Sequence, residues 1–320
     1  MRFSSIFKII ILNIFISKMA HAAVCEERYP ADSEECQYVQ ELEQKAEQGD
    51  ESAQFALGSW YAEGRYVKPD YKLAIKWLEK AGKQGSDFSY FILGYHYNYG
   101  ENFPLSRQKA LEWYRKAAEL GDSSTQEILG DAYMYGDGFP QNTQLALEWY
   151  RKAARQGLPA AQTHLGIMSA FGRGVAQSDR QAIAWYRKAA KQDFAKAQYQ
   201  LGVAYSTGRG VPENSRNALK WYLKAAEQGF TPAQSALGEI YAHGRQGVPK
   251  DNKQAYIWYY MASIYTEKSK DDCSALIAER NRLKGTLTPD QLSETYAAFD
   301  LIRRKINQSK EAKKIARKKY

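Results

Sequence analysis

The chain has 320 residues, of which 44% are hydrophobic and 25% are charged. This balance supplies enough apolar side chains for a folded core and excludes a chain that is disordered throughout. The net charge of +9 comes from the C-terminus: residues 301–320 hold nine Lys or Arg and one Glu, whereas residues 23–300 hold 33 basic and 35 acidic side chains. The near-neutral body excludes nucleic-acid binding as its main activity.

Residues 1–22 have the pattern of a secretory signal peptide. Arg2 and Lys8 precede an apolar run over residues 9–16, and Ala20-His21-Ala22 places small residues at the cleavage spacing. The apolar run is too short to span about 30 Å of hydrocarbon. We therefore predict cleavage after Ala22, export, and no transmembrane span in the mature chain.

Residues 23–50 are predicted to form an N-terminal cap, with a helix over residues 33–48. Cys25 and Cys36 lie close together in this segment, and exported chains fold where cysteines can pair. A bridge between them is possible, and it would contribute roughly 2–3 kcal/mol by closing a short loop. Cys273 lies far away in the sequence and is expected to be a small buried apolar residue.

Residues 51–267 repeat with a period of 36 residues. Pairs that begin with Trp recur at Trp77-Leu78, Trp113-Tyr114, Trp149-Tyr150, Trp185-Tyr186, Trp221-Tyr222 and Trp258-Tyr259. Leu-Gly pairs recur at Leu57-Gly58, Leu93-Gly94, Leu129-Gly130, Leu165-Gly166, Leu201-Gly202 and Leu237-Gly238. One step of 37 residues between the last two Trp pairs is explained by Gln246, inserted in a Gly/Pro-rich loop.

Each period predicts two helices, A and B. In the fifth, Ala197, Leu201 and Tyr205 lie four residues apart on one face of helix A, and Gly208 ends that helix. Helix B follows over residues 218–226. The glycine inside every helix A indicates a close approach by helix B or by the next repeat, and we expect the Trp of helix B to fill the space between repeats.

Such helix pairs cannot bury both faces alone, so they must stack. The predicted fold is all-α: a right-handed α-solenoid superhelix of about six two-helix repeats with N- and C-terminal capping helices. The C-terminal caps are expected within residues 268–308, as helices over 271–284 and 289–306. A basic tail, residues 309–320, follows. Three interpretations fit this tail: contact with an anionic surface, contact with an acidic partner, or a solvated end that binds nothing.

The repeat closely resembles the Sel1-like repeat, a branch of the tetratricopeptide-type helical repeats. The resemblance is carried by Ala-Gln-x-x-Leu-Gly-x-x-Tyr-x-x-Gly-x-Gly-Val followed by Ala-x-x-Trp-Tyr-x-Lys-Ala-Ala-x-Gln-Gly, and by the segment from Arg280 to Leu292. It implies a module that binds another protein or a peptide in a concave groove. For exported bacterial members it implies a scaffold, a regulator or a host-contact factor, in the periplasm or alternatively secreted or surface-associated.

The sequence predicts no catalytic, cofactor-binding or metal-binding residues. His96, His164 and His243 lie in three different repeats. Ser106 and Lys109 match the Ser-x-x-Lys of penicillin-interacting enzymes, but the companion motifs are missing, and Ser106 stands where helix B needs an N-cap. Because some exported cysteine-rich relatives have been described as β-lactamases, a hydrolase of β-lactam or cell-wall substrates is the alternative function.

A partner-binding surface is expected where the repeats differ from one another. By resemblance, the inner surface comes from helix A, and the second repeat places six aromatic residues between Phe88 and Tyr99. Exposed aromatic clusters are typical of binding hot spots. The predicted groove residues are Phe55, Phe88, Phe91, Tyr95 and Tyr199. Local packing of a tightly wound solenoid is the alternative explanation for the cluster.

Overall fold

The computed structural model describes residues 33–244, 247–266 and 274–317. In these residues the chain forms fifteen α-helices and no strand: α1 Glu34–Glu47, α2 Glu51–Glu63, α3 Tyr71–Lys83, α4 Asp87–Tyr99, α5 Arg107–Leu120, α6 Ser123–Tyr135, α7 Thr143–Arg155, α8 Pro159–Phe171, α9 Asp179–Ala190, α10 Ala195–Thr207, α11 Ser215–Ala226, α12 Thr231–His243, α13 Asn252–Thr266, α14 Ser274–Lys284 and α15 Pro289–Arg317. The all-α class is confirmed.

The helices belong to two compact units, divided after Gln156. In the first unit, α1 precedes three helix pairs, α2/α3, α4/α5 and α6/α7. In the second unit, the pairs α8/α9, α10/α11 and α12/α13 precede α14 and α15. The two helices of each pair pack together, so each unit is a stack of A and B helices, as predicted for an α-solenoid.

The ends of the A helices follow one pattern. Each A helix ends at a glycine in the left-handed conformation, where a side chain would be strained; these residues are Gly64, Gly100, Gly136, Gly172, Gly208 and Gly244. At the end of α9, Asp193 replaces the glycine that most other repeats place after helix B. Asp193 adopts a φ of 54°, and its carboxylate accepts a hydrogen bond from Gln198 Nε2 at 3.2 Å. The repeat therefore tolerates this departure.

The Leu-Gly glycine of each A helix lies under a side chain of its own B helix. A Cβ on Gly202 would lie 2.6 Å from the ring of Tyr222, which is too close for real atoms. The close approach was predicted, but the residue that makes it was not. The tyrosine after the Trp covers the glycine, whereas Trp221 is only half-buried, with the Lys224 ammonium 5.0 Å from its ring centre.

Glutamine side chains connect the ends of the repeats. In the fourth repeat, Gln192 Nε2 donates to the backbone oxygen of Gly157 at 2.9 Å and to Oε1 of Gln162 at 3.1 Å. The first and third repeats contain the same pair of bonds. Since the equivalent glutamines recur every 36 residues, these bonds follow directly from the sequence period.

The second repeat replaces this glutamine pair by apolar packing. Tyr90 occupies the register of Gln54, and Gly82 occupies a register that later repeats fill with Ala. A Cβ on Gly82 would lie 2.5 Å from the Tyr90 ring, so the two substitutions are complementary. Tyr90 is 7% exposed and stacks on Trp113 with ring centres 5.8 Å apart. This aromatic residue is part of the core.

The C-terminal helices α14 and α15 pack against α13. Phe299 stacks on Tyr260 with ring centres 4.1 Å apart, and Ile306 is fully buried. α15 continues to Arg317, beyond the predicted end at residue 306, because its sequence contains no Gly or Pro after Pro289 that would stop a helix. The side chains of residues 309–310 and 312–320 lie outside the described part of the chain, so the contact of the basic tail with an anionic surface stays a prediction.

Candidate functional site

An exposed cluster of aromatic rings lies on the A helices of the first two repeats. We call Phe55, Phe88 and Phe91 the aromatic patch. Phe88 is 54% exposed, and its ring centre lies 5.6 Å from that of Phe91 with nearly parallel planes. The Phe55 ring centre lies 5.7 Å from that of Phe88. Three of the predicted groove residues are therefore in contact across α2 and α4.

Two rings of the aromatic patch are packed against the fold and one is exposed. Phe88 and Phe91 are three residues apart, so they share one face of α4. Phe91 is half-buried and lies 5.8 Å, between ring centres, from the buried Tyr114 of the B helix. Phe55 is likewise half-buried. Because the packed rings hold their rotamers, a partner that covers Phe88 would order few additional side chains.

Tyr95 lies one turn further along α4 and is 40% exposed. Its ring contacts are with His96, at 5.7 Å between centres, and with Tyr99, at 4.6 Å. Tyr99 is 61% exposed. The two tyrosines thus form a second exposed aromatic pair on the helix that carries Phe88 and Phe91. Tyr99 is not among the predicted groove residues.

The rest of the aromatic cluster belongs to the core, as the packing explanation expected. Tyr97 is 4% exposed and meets Phe103 edge-on at 5.3 Å. His96 is 6% exposed and stacks on Phe103 at 5.0 Å. The stretch from Phe88 to Tyr99 therefore serves both purposes, with Tyr90, His96 and Tyr97 packed inside and Phe88, Tyr95 and Tyr99 exposed.

The last predicted groove residue, Tyr199, belongs to the second unit. It is half-buried, and its ring centre lies 5.7 Å from that of Tyr222 and 5.5 Å from that of Phe230. Burial raises the pKa of its hydroxyl. These contacts, with a residue of helix B and with the residue just before α12, hold the ring within the fifth repeat.

One of the two cysteines of the predicted disulfide lies in a described helix. Cys36 is fully buried in α1, whereas Cys25 and Cys273 lie outside the described residues. The signal peptide, residues 1–22, lies outside them as well. The bridge and the export signal stay predictions.

Ser106 is an N-cap, as the sequence predicts. Its side chain accepts a hydrogen bond from the backbone N–H of Lys109 at 3.3 Å, at the first turn of α5. The glycine-rich loops after α8 and α10 begin at the left-handed Gly172 and Gly208, which end those helices. Ser106 and the two loops therefore have structural roles.

Replacing Ser106 by Ala should lower the free energy of unfolding by about 1 kcal/mol, because one N–H at the start of α5 loses its acceptor. Asn142→Ala, which removes the N-cap of α7, should have a similar effect. Urea denaturation followed by circular dichroism checks both variants. Hydrolysis of a chromogenic β-lactam by the wild type, abolished in Ser106→Ala but not in Asn142→Ala, would contradict the structural role.

Stacked pairs of helices with an exposed aromatic face define a helical-repeat scaffold for protein interaction. A family model described as Sel1 repeat matches residues 51–86, 88–122, 123–158, 159–194, 195–230 and 231–263. The chain therefore belongs to the Sel1 repeat family, and the predicted resemblance is confirmed. Sel1 repeat proteins are helical-repeat scaffolds for protein interaction, and the fold is typically non-enzymatic.

The chain is similar to several solved structures, including the following two. A protective antigen of uropathogenic Escherichia coli strains is 35% identical, with a TM-score of 0.69 over 85% of this chain and 57% of that chain. A Sel1 repeat protein from Oxalobacter formigenes is also 35% identical, with a TM-score of 0.59 over 68% of this chain and 89% of that chain. The chain thus spans little more than half the length of the antigen. A search of curated proteins found no match.

Among the described residues, no helix has both the length and the apolar character needed to cross a membrane.

Proposed function

We propose that this Sel1 repeat protein is exported and binds another protein or a peptide through the aromatic patch, as a scaffold, a regulator or a host-contact factor. The observation that carries the proposal is the exposed Phe88, stacked on Phe91 and touching Phe55. Large rings on a solvated face are costly to leave in water, and they are the side chains that dominate binding energy when a partner covers them.

The shape of the patch favours an apolar anchor from the partner. Its rings come from two neighbouring A helices, so together they offer a surface wider than one side chain. A Leu, Met or aromatic residue of the partner that packs on Phe88 would bury apolar area of both molecules. This burial contributes about 25 cal/mol of free energy per Å² removed from water. The exposed Tyr95 and Tyr99 add hydroxyl groups beside this surface, and these can donate hydrogen bonds to a peptide backbone.

Export is supported by the sequence pattern of residues 1–22 and by one similar protein. The E. coli relative is described as a protective antigen, a description that fits a protein placed outside the cytoplasm. We propose the periplasm as the first location and the cell surface or the medium as alternatives. Fractionation of cells that express the full chain, compared with a chain starting at residue 23, tests this part independently of binding.

Binding is tested with peptides selected from a random displayed library on the folded protein. We expect the selected peptides to share a large apolar residue. We also expect Phe88→Ala to weaken their binding by at least about 30-fold, which corresponds to a hot-spot residue of about 2 kcal/mol. Isothermal titration calorimetry measures the affinities, and circular dichroism confirms that the variant is folded.

Leu120→Ala is the matched control, because Leu120 is also a large exposed apolar residue, at 46%, but lies at the end of the B helix α5. We expect this variant to bind the selected peptides like the wild type. The proposal is abandoned if Phe88→Ala leaves the affinity unchanged, or if Leu120→Ala lowers it equally.

A further inference from the structure

The charges of the first unit are separated between its two kinds of helix. The A helices α2, α4 and α6 carry five acidic residues and no Lys or Arg. The B helices α3, α5 and α7 carry four Glu and eleven basic residues: Lys72, Lys76, Lys80, Lys83, Arg107, Lys109, Arg115, Lys116, Arg151, Lys152 and Arg155. The near-neutral total over residues 23–300 therefore includes a strongly basic set of B helices.

Most of this positive charge has no acidic partner inside the protein. Glu79 Oε1 lies 3.5 Å from Lys83 Nζ and 3.6 Å from Lys116 Nζ, and Arg107 Nη2 lies 2.7 Å from Asp137 Oδ2. The remaining eight basic side chains form no ion pair with the described residues, and none of them is buried. We call the side of α3, α5 and α7 that carries these eight residues the basic face.

In each repeat of the first unit, one ammonium group is held over a tryptophan ring of the same B helix. The distances from Nζ to the ring centre are 4.5 Å for Lys80 and Trp77, 3.9 Å for Lys116 and Trp113, and 3.9 Å for Lys152 and Trp149. The attraction between a cation and an aromatic ring restricts where each ammonium group lies. A partner that binds these cations would therefore have few additional side chains to order.

The second unit shows the same arrangement by itself. Its B helices α9 and α11 carry one acidic residue, Asp179, and six basic residues: Arg180, Arg187, Lys188, Arg216, Lys220 and Lys224. In both helices the Lys three residues after the Trp lies over that ring, with distances of 4.4 Å and 5.0 Å from Nζ to the ring centre. Basic B helices are therefore a property of both units.

The basic face fits a surface of spread negative charge better than it fits a protein partner. Protein interfaces place apolar and aromatic residues at their centre and contain little Lys. Among the described residues of α3, α5 and α7, the only large apolar side chain that is exposed is Leu120, at the end of α5. Membranes with anionic lipids attract clusters of Lys and Arg, and Trp is enriched where a membrane meets water. The basic face combines these two features.

We infer that the basic face binds the surface of a bilayer that contains anionic lipids. The ammonium and guanidinium groups lie against the lipid phosphates in this arrangement. The aromatic patch belongs to the A helices and lies outside this surface, so a partner can occupy it at the same time. Binding to the bilayer requires neither the aromatic patch nor the basic tail.

Co-sedimentation of the full chain with vesicles tests the inference. We expect the protein to bind vesicles of phosphatidylcholine and phosphatidylglycerol, in a two-to-one ratio, more tightly than vesicles of phosphatidylcholine alone. Salt at about 1 M should release it, because charges then act over only about 3 Å. Tighter binding to soluble polyglutamate than to the mixed vesicles, at equal concentration of negative charge, would identify an acidic polypeptide as the partner and overturn the inference.

A triple variant decides whether the basic face is responsible. Lys76→Glu, Lys109→Glu and Arg151→Glu together reverse one exposed charge on each of the three B helices. We expect binding to the mixed vesicles to weaken by about 100-fold or more, since each cation near an anionic membrane contributes about fivefold. Every variant keeps residues 1–22, so these residues do not cause the difference.

The matched control reverses three equally exposed charges outside the B helices, Lys45→Glu, Arg65→Glu and Lys284→Glu. It has the same net charge as the first variant and should bind within about tenfold of the wild type, because charges away from the membrane are screened. A chain without residues 309–320 should still prefer the mixed vesicles. Circular dichroism confirms that each protein is folded. The inference is overturned if the two triple variants bind equally well, if salt does not release the protein, or if removal of the tail alone abolishes binding.

Discussion

Between pH 10 and pH 12 the protein should lose stability steeply, because buried tyrosines ionise more readily in the unfolded chain than in the fold. Burial raises the pKa of Tyr114, Tyr186 and Tyr222 to about 12 each, from an ordinary value of 10. Below pH 10 these hydroxyls are protonated in both states and their effect on stability is constant. Above pH 10 the unfolded state releases its protons first, so the free energy of unfolding falls.

Each of these tyrosines should lower the free energy of unfolding by about 1.4 kcal/mol per pH unit, which is roughly 3 kcal/mol per tyrosine between pH 10 and pH 12. The expected loss is independent of any ligand, because it comes from the B-helix tyrosines that cover the A-helix glycines. Burial raises the pKa of Tyr150 in the same direction. Alkaline unfolding is therefore a direct measure of how tightly the helix pairs enclose these rings.

Urea denaturation at pH 8, 10, 11 and 12, followed by circular dichroism, measures this effect. Tyr114→Phe should lose stability less steeply with pH, since one ionising group is gone. Tyr135→Phe should keep the slope of the wild type, because Tyr135 is 69% exposed. A free energy of unfolding that stays constant from pH 10 to pH 12 would show that the tyrosines are not buried as described.

Replacing Gly202 by Val should destabilise the second unit by about 2–3 kcal/mol. A Cβ at this position would lie 2.6 Å from the Tyr222 ring, and two further methyl groups leave the ring no room to move aside. Overpacking of a filled core typically costs 1–3 kcal/mol. The higher helix propensity of Val, a few tenths of a kcal/mol over Gly, offsets only a small part of this cost.

The control is Lys220→Val, which places the same side chain at an exposed position of the facing helix α11. Its effect should stay within about 0.5 kcal/mol. Chemical denaturation of both variants gives the comparison. If Gly202→Val were as stable as Lys220→Val, the close approach of Tyr222 to α10 would be wrong, and the glycine would need another explanation.

The repeat period explains why the fold could be predicted so fully. Six copies of one pattern fix the helices, their ends and their stacking, since shared residues contact partners 20 to 35 residues away, as Gly202 contacts Tyr222 and Gln192 contacts Gly157. Side-chain choices within the pattern were harder to predict. The adjacent Trp221 and Tyr222 are both large aromatic residues, and only the rotation of helix B shows that Tyr222 lies over the glycine while Trp221 faces partly outwards.

The candidate site could be predicted only in part, because exposure depends on neighbours from other repeats. Phe88 and Tyr90 both occupy positions at which the other repeats have no aromatic residue. Tyr90 is buried because Gly82, in the preceding repeat, leaves room for it. The sequence contains both substitutions, but only the structure shows that positions 82 and 90 face each other.

The central claim is that the aromatic patch is the surface that meets a partner. It is tested most directly by placing a photo-crosslinking amino acid at position 88 in the full chain, expressed in its native cells, and at position 120 as a control. We predict a discrete protein adduct on illumination from position 88, which disappears when Phe55 and Phe91 are replaced by Ala in a variant shown to be folded, and no such adduct from position 120. The same adduct from both positions, or an adduct that survives loss of Phe55 and Phe91, would contradict the account.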